Sequence, residues 1–124
     1  MFRTAQALST IVGTLLLTFA WHACTSQTQA PERPPNVPAS ALWAGGPDGG
    51  VFFVIQKRGG KSGAYDASIY HDRSGDLLYS GPLTLGGSPG PEPDLSKPEL
   101  FQGWDGERLL LTDGRFFERP HRSR

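Results

Sequence analysis

LFQGWDGERLLLTDGRFFER, residues 100–119, decides the fold. It holds two Asp-Gly pairs, Asp105-Gly106 and Asp113-Gly114, each set between apolar runs of strand length. Asp-Gly favours a two-residue hairpin loop, because both central positions need positive φ and Gly adopts it without strain. Two such turns in succession predict a three-stranded antiparallel meander. With two-residue loops Trp104 pairs with Glu107, Gln102 faces Leu109 and Leu100 faces Leu111. Across the second turn Thr112 pairs with Arg115, so Leu111 faces Phe116 and Leu110 faces Phe117. Leu100, Trp104, Leu109, Leu111 and Phe116 then form the core face, since strand side chains alternate. Phe101, Leu110 and Phe117 take the other face with Thr112, Arg108, Arg115 and Arg119. That register sets Arg108 opposite Arg119, a like-charge pair that favours an anion or a carboxylate nearby. Arg108, Arg115 and Arg119 are therefore the candidate contact surface for an anion or a partner.

Upstream, the same pattern of short strands and Gly-rich turns continues. Val51-Phe52-Phe53-Val54-Ile55 is an apolar run of strand length. The turn cluster Gly45-Gly46-Pro47-Asp48-Gly49-Gly50 joins it to Leu42-Trp43-Ala44 as a first hairpin. Tyr65, Ala67 and Ile69 alternate with Asp66, Ser68 and Tyr70, the mark of a half-buried strand. His71 to Gly75 turns the chain into Asp76-Leu77-Leu78-Tyr79-Ser80, and Pro82 to Leu85 extends that strand past Gly81. Gly86 to Pro98 is a long Pro/Gly loop that reads as a mobile insertion. No stretch from Leu42 onward has helical periodicity. The expected fold is a small all-β antiparallel meander of five or six strands over residues 42–119, forming a curled sheet, an open barrel or a propeller-like blade. Residues 120–124 form a basic tail.

The N-terminal third reads differently. Arg3 and the amino terminus precede an apolar run from Ala7 to Ala20. That run is about 14 residues, short of the ~20 a membrane-spanning helix needs. A charged end, a short apolar middle and a small residue at the exit describe a secretory signal over residues 1–23. Trp21-His22-Ala23-Cys24 closes it, and Cys24 is the chain's one cysteine. Here the chain resembles bacterial lipoprotein precursors, with Trp21 standing where those proteins commonly have Leu. The resemblance implies cleavage before Cys24, a diacylglycerol on its sulfur and palmitate-type acylation. It also implies attachment to a cell-envelope membrane facing the periplasm. Thr25, rather than Asp, after the cysteine agrees with outer-membrane sorting in such proteins. Residues 24–41, TSQTQAPERPPNVPASA after the cysteine, carry four prolines and no apolar periodicity, and read as a tether.

Composition narrows the function. Lys plus Arg number 12 and Asp plus Glu number 12, so the formal net charge is zero. That removes the electrostatic basis for nucleic-acid binding. A single cysteine forms no internal disulfide. His71 lies in a turn and His121 in the basic tail, and neither is patterned with a serine as a catalytic group. Asp72, Ser74 and Asp76 resemble half of a calcium loop without its distal Glu. No metal and no cofactor is expected, nor is an enzyme. Trp43, Tyr65, Tyr70, Tyr79 and Trp104 form an aromatic set suited to core packing or to a carbohydrate or peptide platform. The expectation is a non-catalytic binding or structural module of the envelope, with a protein or glycan partner. The alternative is a secreted periplasmic protein with a small hydrolase or carbohydrate-binding accessory role.

Overall fold

The computed structural model describes residues 29–123. The chain is all-β. Seven antiparallel strands form one sheet that curls into a nearly closed barrel: β1 (Leu42–Gly46), β2 (Gly49–Lys57), β3 (Ala64–His71), β4 (Leu77–Gly86), β5 (Phe101–Trp104), β6 (Arg108–Leu111) and β7 (Phe116–Glu118). A 3₁₀ turn at Pro98–Leu100 leads into β5. The strand order around the sheet is β1-β2-β3-β4-β7-β6-β5. The first four strands run as a meander, but β4 pairs with β7, not β5. The last three strands fold back, which brings β5 beside β1 at the seam.

This order explains the long loop after β4. The chain must cross one end of the barrel to travel from β4 past β7 and β6 to β5. The crossing segment is docked there. Glu92 pairs with Lys57 and accepts a hydrogen bond from Ser62 Oγ at 2.8 Å. Arg115 donates to the Pro91 carbonyl, and Leu95 packs on the core. The segment thus closes the barrel end, in place of the mobile insertion expected from its composition.

The interior is filled by side chains. Ala44, Val51, Phe53, Tyr65, Ala67, Ile69, Leu83, Phe101, Leu109, Leu111 and Phe117 are all buried in one cluster. Phe53 and Phe101 meet edge to face at 4.3 Å between ring centroids, which binds β2 to β5 across the seam. Tyr65 and Phe117 do the same at 4.7 Å. Such aromatic pairs contribute about 0.5–1.5 kcal/mol each beyond the area they bury.

The two Asp-Gly hairpins form, with a different register from the one expected. Neither Asp takes positive φ; only Gly106 (97°) and Gly114 (85°) do. Asp105 Oδ1 instead accepts from the backbone N–H groups of Glu107 (2.8 Å) and Arg108 (2.6 Å), and Asp113 Oδ1 accepts from Arg115 N–H at 3.0 Å. Each carboxylate builds its own turn. The second loop therefore holds three residues, Thr112 to Gly114, with Leu111 N–H bonded to the Arg115 carbonyl. A three-residue loop needs positive φ only at its last position. The added residue slides β7 by one, so Leu109 pairs with Phe117 and Leu110 with Phe116. Phe117 turns inward and Phe116 outward, the reverse of the expected faces. The first loop shifts the pairing by two residues, so Trp104 pairs with Leu109, and an irregularity at Gln102 brings Phe101 opposite Leu111. Phe101 thus takes the core place expected of Leu100. Leu109 and Leu111 occupy the core as expected.

The stretch read as a tether is partly structured. Val37 and Ala41 are buried against Phe52 on the outer face of the sheet, with Trp43, Val54 and Tyr70 around them. Asn36 Nδ2 donates to the Gly75 carbonyl at 2.6 Å and ties this strap to the β3–β4 turn. The outward faces of β1 and β2 carry Trp43 and Phe52, too apolar to be left bare, and Val37 covers them. The folded unit therefore begins before Leu42.

Candidate functional site

The three arginines go to three places. On β7, alternation puts Phe117 inside, so Arg115 and Arg119 lie on the inner side at opposite ends of the strand, while Arg108 of β6 faces out beside Phe116. Arg115 is 9% exposed. Its Nε donates to Asp113 Oδ2 at 2.7 Å, and it closes the barrel end beneath Tyr65 together with the Pro91 carbonyl. Arg119 pairs with Glu107 and stacks 5.5 Å from the Tyr79 ring. Arg108 pairs with Asp105 at 3.1 Å and lies 5.3 Å from the Phe116 ring. Opposite Arg108 stands Glu118, not Arg119. The expected shared arginine face is thus corrected: the one-residue slide of β7 disperses it, and a carboxylate accompanies each guanidinium.

These ion pairs set the local electrostatics. The backbone N–H groups of Glu107 and Arg108, with the Arg108 guanidinium, hold the Asp105 carboxyl below its usual range. Arg115 does the same for Asp113, Arg58 for Asp66, and Lys57 with Ser62 for Glu92. Burial, followed by the charge of Glu92, raises the Tyr65 phenol.

Asp72, Ser74 and Asp76 do not converge. Asp72 is buried, and its Oδ2 accepts the Gly50 N–H at 2.7 Å, linking the first hairpin to the β3–β4 turn. Ser74 Oγ bonds to Asp76 Oδ2 at 2.7 Å. His71 Nδ1 accepts from the N–H groups of Arg73 and Ser74 at 3.2 and 3.4 Å, so it organises the turn. Among the described residues no group of three His, Cys, Asp or Glu side chains is placed to hold a metal ion. The aromatic set is split as well. Tyr65 lies in the core, Trp43 and Tyr70 pack outside under the strap, and Tyr79 and Trp104 lie against the core from its margins. Cys24 lies outside the described residues.

A groove of about 880 Å³ lies on the outside of the barrel, along β1. Its walls are the strap at Gln29–Pro31 and Arg33, the run from Ala41 to Gly45, and Pro98, Glu99 and Phe101 from across the seam. Ala44 and Gly45 reveal what this wall is made of. The Ala44 side chain is buried in the core and Gly45 has none, so both present main chain to the groove. Trp43 lies beside them on a bed made by the cross-strand pair Gly45 and Gly50. A Cβ on Gly45 would stand 2.6 Å from Trp43 Cζ2, and one on Gly50 3.0 Å from its Nε1. Only glycine lets the indole settle so low on the sheet. The indole Nε1 is itself buried with no acceptor among the described residues. Sequence reasoning absorbed Gly45 and Gly50 into a turn cluster; the turn itself uses only Pro47-Asp48. Glycines one step beyond the need of a turn, beside a Trp, are the signal that pointed here.

No protein-family model, no curated protein and no solved structure matches this chain.

Proposed function

We propose that the chain is a lipid-anchored protein of the bacterial envelope whose barrel serves as a non-catalytic binding or structural module. The observation that carries the anchor is in the sequence: the one cysteine, Cys24, follows Ala23 at the exit of a short apolar run. An unmodified thiol there would be exposed to oxidation in an exported protein. The resemblance to lipoprotein precursors supports a diacylglyceryl group on its sulfur. Each buried CH₂ contributes about 0.8 kcal/mol, so two or three acyl chains hold a small protein at a membrane for long periods. Thr25 favours the outer membrane, with the barrel facing the periplasm.

For the barrel, the packed interior supports a role for its outer surface, since core side chains occupy the space where a barrel would enclose a ligand. The strap fixes how the barrel sits on its anchor. Packing begins at about Asn36, so the spacer is shorter than one reaching Ala41. Residues 25–35 span at most about 40 Å when fully extended. The test is membrane fractionation with intact-mass measurement. The wild type should be in the membrane fraction, begin at Cys24 and carry an acyl mass. Cys24→Ser should leave the precursor uncut or release it. Mature wild type found soluble with no added mass would end this reading.

A further inference from the structure

We propose that the pocket between the β1–β2 turn, the β3–β4 turn and Trp104 binds a primary ammonium group carried by a partner molecule. The proposal rests on reading the barrel as a binding module and is independent of the lipid anchor.

The pocket is a product of barrel closure. Neighbouring strands alternate in direction, so the β1–β2, β3–β4 and β5–β6 turns all lie at the end of the barrel away from the crossing segment. The meeting of β5 with β1 brings Trp104, the last residue of β5, to the β1–β2 turn. Asp48 and Gly50 from that turn, Asp72 from the β3–β4 turn and Trp104 border one pocket of about 290 Å³. Glycine at both 49 and 50 leaves main chain alone on that side; a Cβ on Gly49 would stand 3.6 Å from Asp72 Oδ2.

Asp72 is the unusual member. It is 4% exposed, yet no lysine or arginine pairs with it among the described residues. Its Oδ2 accepts the Gly50 N–H, while no hydrogen bond reaches Oδ1 from the described residues. His71 Nδ1 stands 3.6 Å from Oδ1. That nitrogen already accepts the N–H groups of Arg73 and Ser74, so it holds no proton to share with the carboxylate. Arg73 borders the pocket too, and its guanidinium pairs with neither Asp72 nor Asp48. A buried carboxylate is costly unless a cation or further hydrogen bonds compensate it. An incoming cation at Oδ1 would supply what the fold leaves out.

The surroundings select the kind of cation. Calcium takes six to eight oxygen ligands. The described residues hold no group of three His, Cys, Asp or Glu side chains suited to a metal. A primary ammonium is content with fewer: it donates three hydrogen bonds and favours an aromatic face. Asp72 Oδ1, the Asp48 carboxylate and the Trp104 indole border the pocket with those complements. The volume suits one such group with part of an aliphatic arm.

The experiment uses the mature, full-length protein in non-ionic detergent micelles. The probes are N-acetyl-lysine methylamide, which offers a side-chain ammonium, and glycine methylamide, which offers a chain-terminal one. Amide and indole N–H shifts are followed by NMR as each is added. The Gly50 amide and the Trp104 indole should move together and saturate, with the Trp43 indole unchanged. Binding of either amine supports the site, and the tighter one identifies the source of the ammonium. N-acetyl-norleucine methylamide, which lacks the charge, should bind at least about tenfold more weakly. Asp72→Asn keeps an acceptor for Gly50 N–H and should lose at least about tenfold in affinity; Trp104→Leu should lose about threefold or more. Arg73→Ala should bind at least as tightly as wild type. The norleucine control alters the ligand alone, so the fold of the protein is not at issue. No shift at Gly50 with about 100 mM of either amine overturns the proposal, since that bounds the affinity below any useful value. So does equal binding of the norleucine compound, or unchanged binding by Asp72→Asn. Calcium chloride is run beside them: if it moves the same signals and displaces the amine at lower concentration, the site is a metal site and the proposal falls. None of these results bears on whether Cys24 is acylated, which membrane fractionation decides separately.

Discussion

Replacing Phe117 by alanine, and separately Phe116, distinguishes the two faces of β7. Phe117 is fully buried and packs edge to face on Tyr65. Truncating a core phenylalanine costs about 3–5 kcal/mol, the lost transfer free energy plus the cavity left behind. For a domain of this size each kcal/mol lowers Tm by about 4–8 °C, so Phe117→Ala should melt at least about 12 °C below wild type. Against a total stability of roughly 5–15 kcal/mol, it could leave little folded protein at 37 °C. Phe116 is half-buried on the outer face, with Arg108 over its ring at 5.3 Å and Gly86 beneath its edge. A cation–π contact at an exposed site contributes about 0.5–1 kcal/mol, and partial burial adds a similar amount. Phe116→Ala should cost about 1–2 kcal/mol. The assay is urea and thermal unfolding followed by circular dichroism and tryptophan fluorescence, with the slope in urea compared between variants. If Phe116→Ala costs as much as Phe117→Ala or more, the three-residue loop and the register derived from it are refuted.

Other outcomes follow from the same structure. Gly45→Ala should destabilise by about 1–3 kcal/mol, since its Cβ would stand 2.6 Å from the Gly49 carbonyl oxygen as well as from the indole; an unchanged urea midpoint would show that the Trp43 bed is not tight. A chain beginning at Ser40 should fold but lose about 2–3 kcal/mol, because Val37 no longer covers Phe52 and the Asn36 bond to Gly75 is gone; equal stability would mean the strap is passive. Asp66, Glu92, Asp105 and Asp113 have folded pKa values below their unfolded ones. Their contribution is therefore full above the unfolded values near pH 4 and lost as pH falls through the folded ones, so the urea midpoint should be flat from pH 7 to about 5 and decline below about 4. Asp105→Asn should make that decline shallower, and an unaltered profile would show that the turn carboxylate is not coupled to folding.

The fold class was legible because its signals are local. Glycine clusters between apolar runs mark turns, and a period of two marks strands; neither depends on where the strands end up. The alternation at Tyr65, Ala67 and Ile69 and the first hairpin around Pro47-Asp48 were readable for this reason. Leu109 and Leu111 could be placed in the core for the same reason.

The slide of β7 was decided elsewhere. Asp-Gly fits both a two-residue and a three-residue loop, and the choice turns on how the Asp side chain and the rest of the sheet share hydrogen bonds. Asp113 could hold the turn through its carboxylate while Arg115 reached the loop over the barrel end, and that fixed Phe117 inward. A change of one residue reverses every side chain on the strand, so a small local ambiguity became a large error in the arginine surface. The docking of residues 87–97, the pairing of β4 with β7 and the meeting of β1 with β5 all join positions far apart in sequence. By itself the sequence determined the turns, the strands, the zero net charge and the single cysteine after an apolar run. Only the tertiary structure decided register and closure, because those follow from competition among distant partners for the same backbone groups and the same core volume.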